Sequence, residues 1–265
     1  MKTVTSKDGT TIAFDQVGDG PALILVIGAL MHRAIDPQLA QLAGLLAPHF
    51  TTFYYDRRGR GDSTDTQPYA VQREIEDIEA LIDEAGGSAF VYGISSGGAL
   101  AMEAAIELGA KIKKLAMYEV PYNSEDSALQ AWKEYRKQLV EALAADRRGD
   151  AVALFLTLVG MPADQIEPMR QEPWWPGMEA VAPTLAYDAA TLGEDRAVQV
   201  EQAARIDVPV LVMNGDDANT EFMRETARAL AKAIPNAQHR TLKGQTHNVD
   251  PTVLAPVLVE FFQGS

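Results

Sequence analysis

The segment Val91-Tyr92-Gly93-Ile94-Ser95-Ser96-Gly97-Gly98 carries G-x-S-x-G, with Ser95 at its centre and a glycine two residues away on either side. A serine so placed between a strand and a helix can act as a nucleophile of acyl transfer, attacking a carbonyl carbon through its hydroxyl oxygen. The spacing has a steric reason. Such a turn holds its central residue in a strained backbone conformation, and side chains two positions away would collide with the adjoining strand and helix. Ser96 does not meet this requirement, because Ile94 and Gly98 would flank it. Its backbone N–H, at the start of the next helix, is instead suited to stabilise an oxyanion. Without a general base and an oxyanion hole around it, the same text is only a glycine-rich turn.

A serine hydroxyl stays inert near pH 7 unless a base takes its proton, and neutral imidazole is the side chain fitted for that. The chain has four histidines, His32, His49, His239 and His247. His49 follows a predicted helix and His239 opens a predicted strand among polar residues, so both read as structural or solvated. His247 alone falls in a loop between the last predicted strand and the last predicted helix. An oxyanion needs a second donor, and the loop after the third strand, Ile27-Gly28-Ala29-Leu30-Met31-His32, offers the Ala29 N–H.

Two further segments complete a pattern: Asp56-Arg57-Arg58-Gly59-Arg60-Gly61-Asp62-Ser63, which fits D-x-R-G-x-G-x-S, and Gln245-Thr246-His247 near the carboxyl end. With the Ser95 turn they resemble the α/β-hydrolase superfamily, specifically small capped bacterial members related to esterases, haloperoxidase-like hydrolases and proline iminopeptidases. The resemblance spans almost the whole chain. It implies that His247 is the general base and that a carboxylate orients it. The family's usual position for that acid, three residues past the glycine ending the seventh strand, is Ala218 here, which cannot serve. Asp217, beside Asp216, is one alternative, although an aspartate there also caps a following helix. Glu119 is the other and is favoured. It directly follows strand Ile112 to Tyr118, at a strand end from which some members supply the acid, and a carboxylate ending an apolar strand is costly without a partner. The chain order of serine, acid and histidine holds either way. One departure is Ile27, which stands where the family usually has the histidine of a His-Gly pair. His32 either fills that space or lies on the surface. Asp56, Arg58, Gly59 and Gly61 are expected to shape their turn and brace the site.

These residues must be held by a scaffold, and the chain reads as α/β. Short β-branched runs alternate with helical segments as far as about Val120, as in a mostly parallel sheet flanked by helices. Strands are predicted at 2–6, 11–17, 22–27, 51–55, 89–92 and 112–118, with helices near 37–46, 70–84 and 96–108. From Pro121 to about Ile206 only helical text remains, including 128–143 and 151–158. Residues 121–206 therefore read as an inserted helical cap, and residues 1–120 with 207–265 as the core domain. The strand signal returns at 208–213 and 238–242, around a helix at 222–233. Asp250 and Pro251 open a last helix. In the insert, Trp174 and Trp175 are expected to face substrate, although aromatic residues there also make a cap's own core.

Composition narrows the classes. There are 23 Lys and Arg against 37 Asp and Glu, a formal charge of −14, which repels nucleic acid and anionic membranes. With no cysteine there is no disulfide framework, thiolate metal site or cysteine nucleophile. Met1 to Thr10 holds no apolar run, and the longest apolar stretch is strand-sized, so a soluble cytoplasmic protein, monomer or homodimer, is the expectation. No metal-ligand spacing or phosphate-cradling loop appears, and no cofactor is expected. The function that follows is a serine hydrolase acting on a small carbonyl substrate, a carboxylic ester first, through an acyl-enzyme on Ser95. The alternative is a binding protein of the same fold that turns its ligand over slowly or not at all.

Overall fold

The computed structural model describes residues 1–216 and 221–264. Its strands are β1 (Lys2–Thr5), β2 (Thr11–Val17), β3 (Ala22–Val26), β4 (Thr51–Tyr55), β5 (Ala89–Ile94), β6 (Ile112–Tyr118), β7 (Val210–Asn214) and β8 (Ala237–Thr241). They form one sheet in the order β1-β2-β4-β3-β5-β6-β7-β8. The β1–β2 and β2–β4 pairs are antiparallel and every pair beyond β4 is parallel.

The parallel strands are apolar on both faces because helices cover both. Side chains alternate between the faces with a period of two. Ile24, Val26, Val91, Leu115, Met117, Val210 and Val212 join one buried cluster, with Ile75, Ile78, Leu81 and Ile82 from α2 (Val71–Glu84) and Leu100 and Met102 from α3 (Ser96–Leu108). Leu23, Leu25, Tyr92, Ala116, Tyr118, Leu211 and Met213 join the other, under α1 (Pro37–Leu46) and the carboxyl-terminal helix Pro251–Gln263. α1 starts as its sequence dictates: Asp36 accepts from the Gln38 and Leu39 N–H groups, and Pro37 follows as the first helical residue.

Between β6 and β7 the described residues are helical. The insertion holds α4 (Asp126–Ala144), α5 (Arg148–Leu158), α6 (Ala163–Met169), α7 (Trp175–Val181), α8 (Leu185–Thr191) and α9 (Val200–Ala203). Its buried residues join the same apolar cluster as the sheet face under α2 and α3: Trp132 is buried, stacks on Tyr135 at 5.4 Å and donates its indole N–H to the Gly193 carbonyl at 3.0 Å. After β7 comes α10 (Glu221–Ala233), and Pro251–Gln263 is α11.

Several boundaries differ from the sequence reading by a few residues, and two of them have a clear local reason. β7 begins at Val210 rather than Val208, because Pro209 has no N–H for the ladder. β5 runs on through Gly93 to Ile94, because parallel pairing with Met117 and Tyr118 on β6 outweighs glycine's poor strand preference. Among the described residues no helix is long and apolar enough to cross a membrane.

Candidate active site

In an open parallel sheet, ligands bind beyond the carboxyl ends of the strands, and the sequence-predicted residues gather there. Ser95 follows β5 directly, with φ 57° and ψ −132°, a conformation an L-residue adopts only under constraint. The constraint is visible on both sides. The Ser95 N–H donates to the Tyr118 carbonyl of β6 at 3.0 Å, and the Ser95 carbonyl accepts from the Gly98 N–H at 2.9 Å. A Cβ on Gly93 would lie 2.5 Å from the Gly97 carbonyl oxygen, and one on Gly97 would lie 2.4 Å from that of Val26. Both glycines are therefore required by close backbone approach, as the motif's spacing implies.

Glu119 leaves β6 at φ 46°, its N–H bonded to the Met213 carbonyl at 2.9 Å. Both oxygens of its buried carboxylate have a partner: Oε1 accepts from the Gly215 N–H at 2.8 Å and Oε2 meets His247 Nδ1 at 2.8 Å. A carboxylate oxygen accepts this bond from Nδ1–H, which leaves Nε2 as the ring nitrogen not engaged by Glu119. The histidine loop is tied down from several directions. Tyr118 Oη donates to the Thr246 carbonyl at 2.6 Å, the Asp216 N–H donates to the Gln245 carbonyl at 3.0 Å, and Gln245 Oε1 accepts from the Asp250 N–H at 2.8 Å. Asp216 Oδ1 accepts from the Gly244 N–H at 2.7 Å, so this aspartate braces the loop. Asp217, the other acid considered, lies outside the described residues.

The loop after β3 lies against the serine: a Cβ on Gly28 would stand 2.9 Å from the Ser95 Cβ and 3.4 Å from its Oγ. Ala29 follows, and its N–H takes no part in main-chain hydrogen bonds among the described residues. Ser96 heads α3, where the first N–H groups have no partner within the helix. Ile27 is buried, and His32 is half-buried with an Nδ1 that has no hydrogen-bond partner. His49 is exposed, while His239 Nε2 meets Asn214 Oδ1 at 2.7 Å, away from Ser95.

Trp175 is buried inside the insertion, its indole N–H donating to Glu179 at 2.9 Å and its ring lying beside the Arg170 guanidinium. Trp174 packs against it and is 45% exposed. These contacts are with residues of the insertion, and none reaches Ser95, Glu119 or His247.

The Asp56 turn is built as expected. Asp56 accepts from the N–H groups of Arg33 at 2.8 Å and Asp62 at 2.9 Å, and a Cβ on Gly61 would fall 2.3 Å from its Oδ2. Less legible is what its arginines do. Arg57 forms a bidentate pair with Glu74, both bonds 2.8 Å, and its third nitrogen donates to Asp188 of α8 at 2.7 Å. Arg60 donates to the other Asp188 oxygen at 2.8 Å and to Thr184 at 3.0 Å. Asp188 also accepts from Ser96 Oγ at 2.7 Å. All these side chains are buried. Burial pushes the Asp188 pKa up, but the charges of Arg60 and Arg57 and the Ser96 hydroxyl outweigh it and hold the carboxyl below its ordinary value. Sequence reasoning missed Glu74 and Asp188. The signal for them was three arginines within one apolar-flanked turn, each needing an acceptor if buried. Among the described residues no cluster of His, Asp or Glu is arranged to hold a metal ion.

Residues 24–257 match the model of the alpha/beta hydrolase family. The solved structure of an alpha/beta hydrolase from Sphaerobacter thermophilus is 52% identical, covers 98% of this chain and 100% of its own, and superposes with a TM-score of 0.88. A non-heme chloroperoxidase of Streptomyces lividans is 27% identical over 98% of this chain and 99% of its own length. The enol-lactonase of Burkholderia xenovorans, 22% identical with a TM-score of 0.69 over 99% of this chain and 100% of its own, shares the fold. With the sheet order, the serine turn and this match over most of its length, the chain belongs to the α/β-hydrolase family.

Proposed function

We propose that the chain is a serine hydrolase in which Ser95, His247 and Glu119 form the catalytic triad, with a carboxylic ester of a small acid as the first substrate class. The observation that carries this reading is the 2.8 Å contact between Glu119 Oε2 and His247 Nδ1, at the strand ends beside a serine held in a strained turn. Ser95 Oγ attacks the carbonyl carbon while His247 Nε2 takes its proton. The oxyanion accepts hydrogen bonds from the Ala29 and Ser96 N–H groups. Collapse expels the alcohol, which leaves with the proton held by His247. Water, deprotonated by the same nitrogen, then cleaves the acyl-enzyme and restores the serine. No step draws on a cofactor. The insertion, residues 121–206, serves as the cap over this site.

The test is intact-mass detection of a fluorophosphonate adduct, with peptide mapping, beside turnover of p-nitrophenyl esters. A single adduct on Ser95, and loss of turnover by about 10⁶-fold in Ser95→Ala, are the expected results. A folded protein that is neither labelled nor active would overturn the reading in favour of a ligand-binding role. Because some relatives are named non-heme chloroperoxidases, hydrogen peroxide is the second nucleophile to offer the acyl-enzyme.

A further inference from the structure

Behind the two proposed oxyanion donors lies a buried charge cluster that the triad chemistry does not use. It holds two guanidinium groups, Arg57 and Arg60, and two carboxylates, Glu74 and Asp188, so its charges balance. Three of these residues belong to the core domain, and Asp188 comes from α8 of the insertion.

The cluster reaches the donors by two routes. A trans peptide unit presents its C=O and N–H on opposite edges. Arg60 Nη1 donates to the Gly28 carbonyl at 2.5 Å, so the N–H of that same unit, which is the Ala29 N–H, points away from Arg60. Arg60 Nη1 also lies 3.4 Å from the Met31 carbonyl, and Arg57 Nη1 lies 3.4 Å from that of Ile27, so the loop is held along its length. The second route is shorter. Ser96 Oγ donates to Asp188 Oδ1 at 2.7 Å, which fixes the first residue of α3 and with it the direction of the Ser96 N–H. Asp188 alone joins the routes, because it accepts from Ser96, Arg57 and Arg60 together.

We propose that Asp188 is a positioning residue for the oxyanion hole: by holding Ser96 and Arg60 it sets the directions of both donor N–H groups, so the hole is complete only when α8 is seated on α3. This inference rests on the hydrolase reading above. It gives the insertion a part in the reaction without contact with substrate. It also explains why a charged group is kept at the interface between α8 and α3. Donor groups aimed at a developing oxyanion act mainly in the transition state, so misaiming them lowers kcat more than it raises KM.

The experiment compares wild type, Asp188→Asn and Ser96→Ala for hydrolysis of p-nitrophenyl butyrate and for inhibition by phenylboronic acid, whose tetrahedral serine adduct places an oxygen in the hole. Ser96→Ala leaves the ion cluster neutral and the backbone N–H present but removes the bond that aims it, so it remains folded if Asp188→Asn does not. For Asp188→Asn, kcat should fall about 10- to 10²-fold, below the full loss of one donor, with KM within threefold and the boronate Ki weakened in step with kcat. Ser96→Ala should show the same pattern at about 3- to 10-fold. Values of kcat and Ki within twofold of wild type in Ser96→Ala, or a loss confined to KM in either variant, would overturn the inference while leaving an active, labelled wild type as a hydrolase. A wild type without ester turnover or label would overturn both readings.

Discussion

Glu119 Oε2 and His247 Nδ1 lie 2.8 Å apart although 128 positions separate them in the chain. The approach depends on β6 and β7 being neighbours: the Glu119 N–H is anchored on Met213, and the Gly215 N–H holds the other carboxylate oxygen. Glu119→Gln should keep the bond from Gly215 but present an amide N–H₂ to Nδ1, which forces the proton onto Nε2 and removes the lone pair on which the proposed mechanism depends. A loss of about 10⁴ in kcat is the expected scale, by comparison with the aspartate-to-asparagine exchange in a Ser-His-Asp triad. Asp217→Asn should change kcat by less than about threefold. Steady-state kinetics of the two variants decide, and the reverse ranking would make Asp217 the acid.

Gly28 carries the second prediction. A methyl group there would stand 2.9 Å from the Ser95 Cβ, on a turn already strained and unable to yield freely. Gly28→Ala should therefore displace Ser95 and slow fluorophosphonate labelling about 10- to 10²-fold, the scale of a displacement near 1 Å. Labelling at the wild-type rate would show that the turn can move aside.

The serine turn and the meeting of Glu119 with His247 were legible because each residue stands out in local text: two glycines around Ser95, a glutamate ending an apolar strand, and a histidine between a strand and a helix. The places of β3, β5 and β6 were legible for the same reason, since a short apolar run marks each of them. What stayed hidden was long-range. Arg57 and Arg60 advertise a need for carboxylates, but Asp188 lies 128 positions beyond Arg60 and sits in a helix whose text gives no sign of which face meets α3. Trp174 and Trp175 show the converse limit. An aromatic pair in a helical insert is suited both to a pocket wall and to a core, and composition does not say which.

The third prediction concerns Gly97. A Cβ there would meet the Val26 and Ile27 carbonyl oxygens at 2.4 and 2.5 Å, and both are backbone atoms of a central strand and its exit. Gly97→Ala should destabilise the fold by about 2 kcal/mol or more, as overpacking of a rigid site does. For a chain of this size that lowers Tm by about 4 °C or more. Calorimetry checks it, and an unchanged Tm would mean that α3 can shift along the sheet.

The last prediction links charge to stability at low pH. Asp8 Oδ2 accepts from Arg58 at 2.8 Å, and its Oδ1 accepts from the Thr10 N–H at 3.0 Å. Burial raises its pKa, but the hydrogen bonds from Arg58 and Thr10 and the Arg58 charge outweigh this and bring it down to about 2. In the unfolded chain an aspartate titrates near ~3.9. The folded value is the lower one, so the unfolded state binds the proton first as pH falls. The stabilisation is whole above the unfolded value and is lost as pH drops through the folded one, a window from ~4 to ~2. Urea midpoints of wild type and Asp8→Asn at pH 7, 4 and 3 read this directly. Wild type should be the more stable at pH 7, and the gap should narrow by pH 3. A gap that stays constant would mean that the ionised Asp8 carboxylate contributes nothing beyond what the neutral amide supplies.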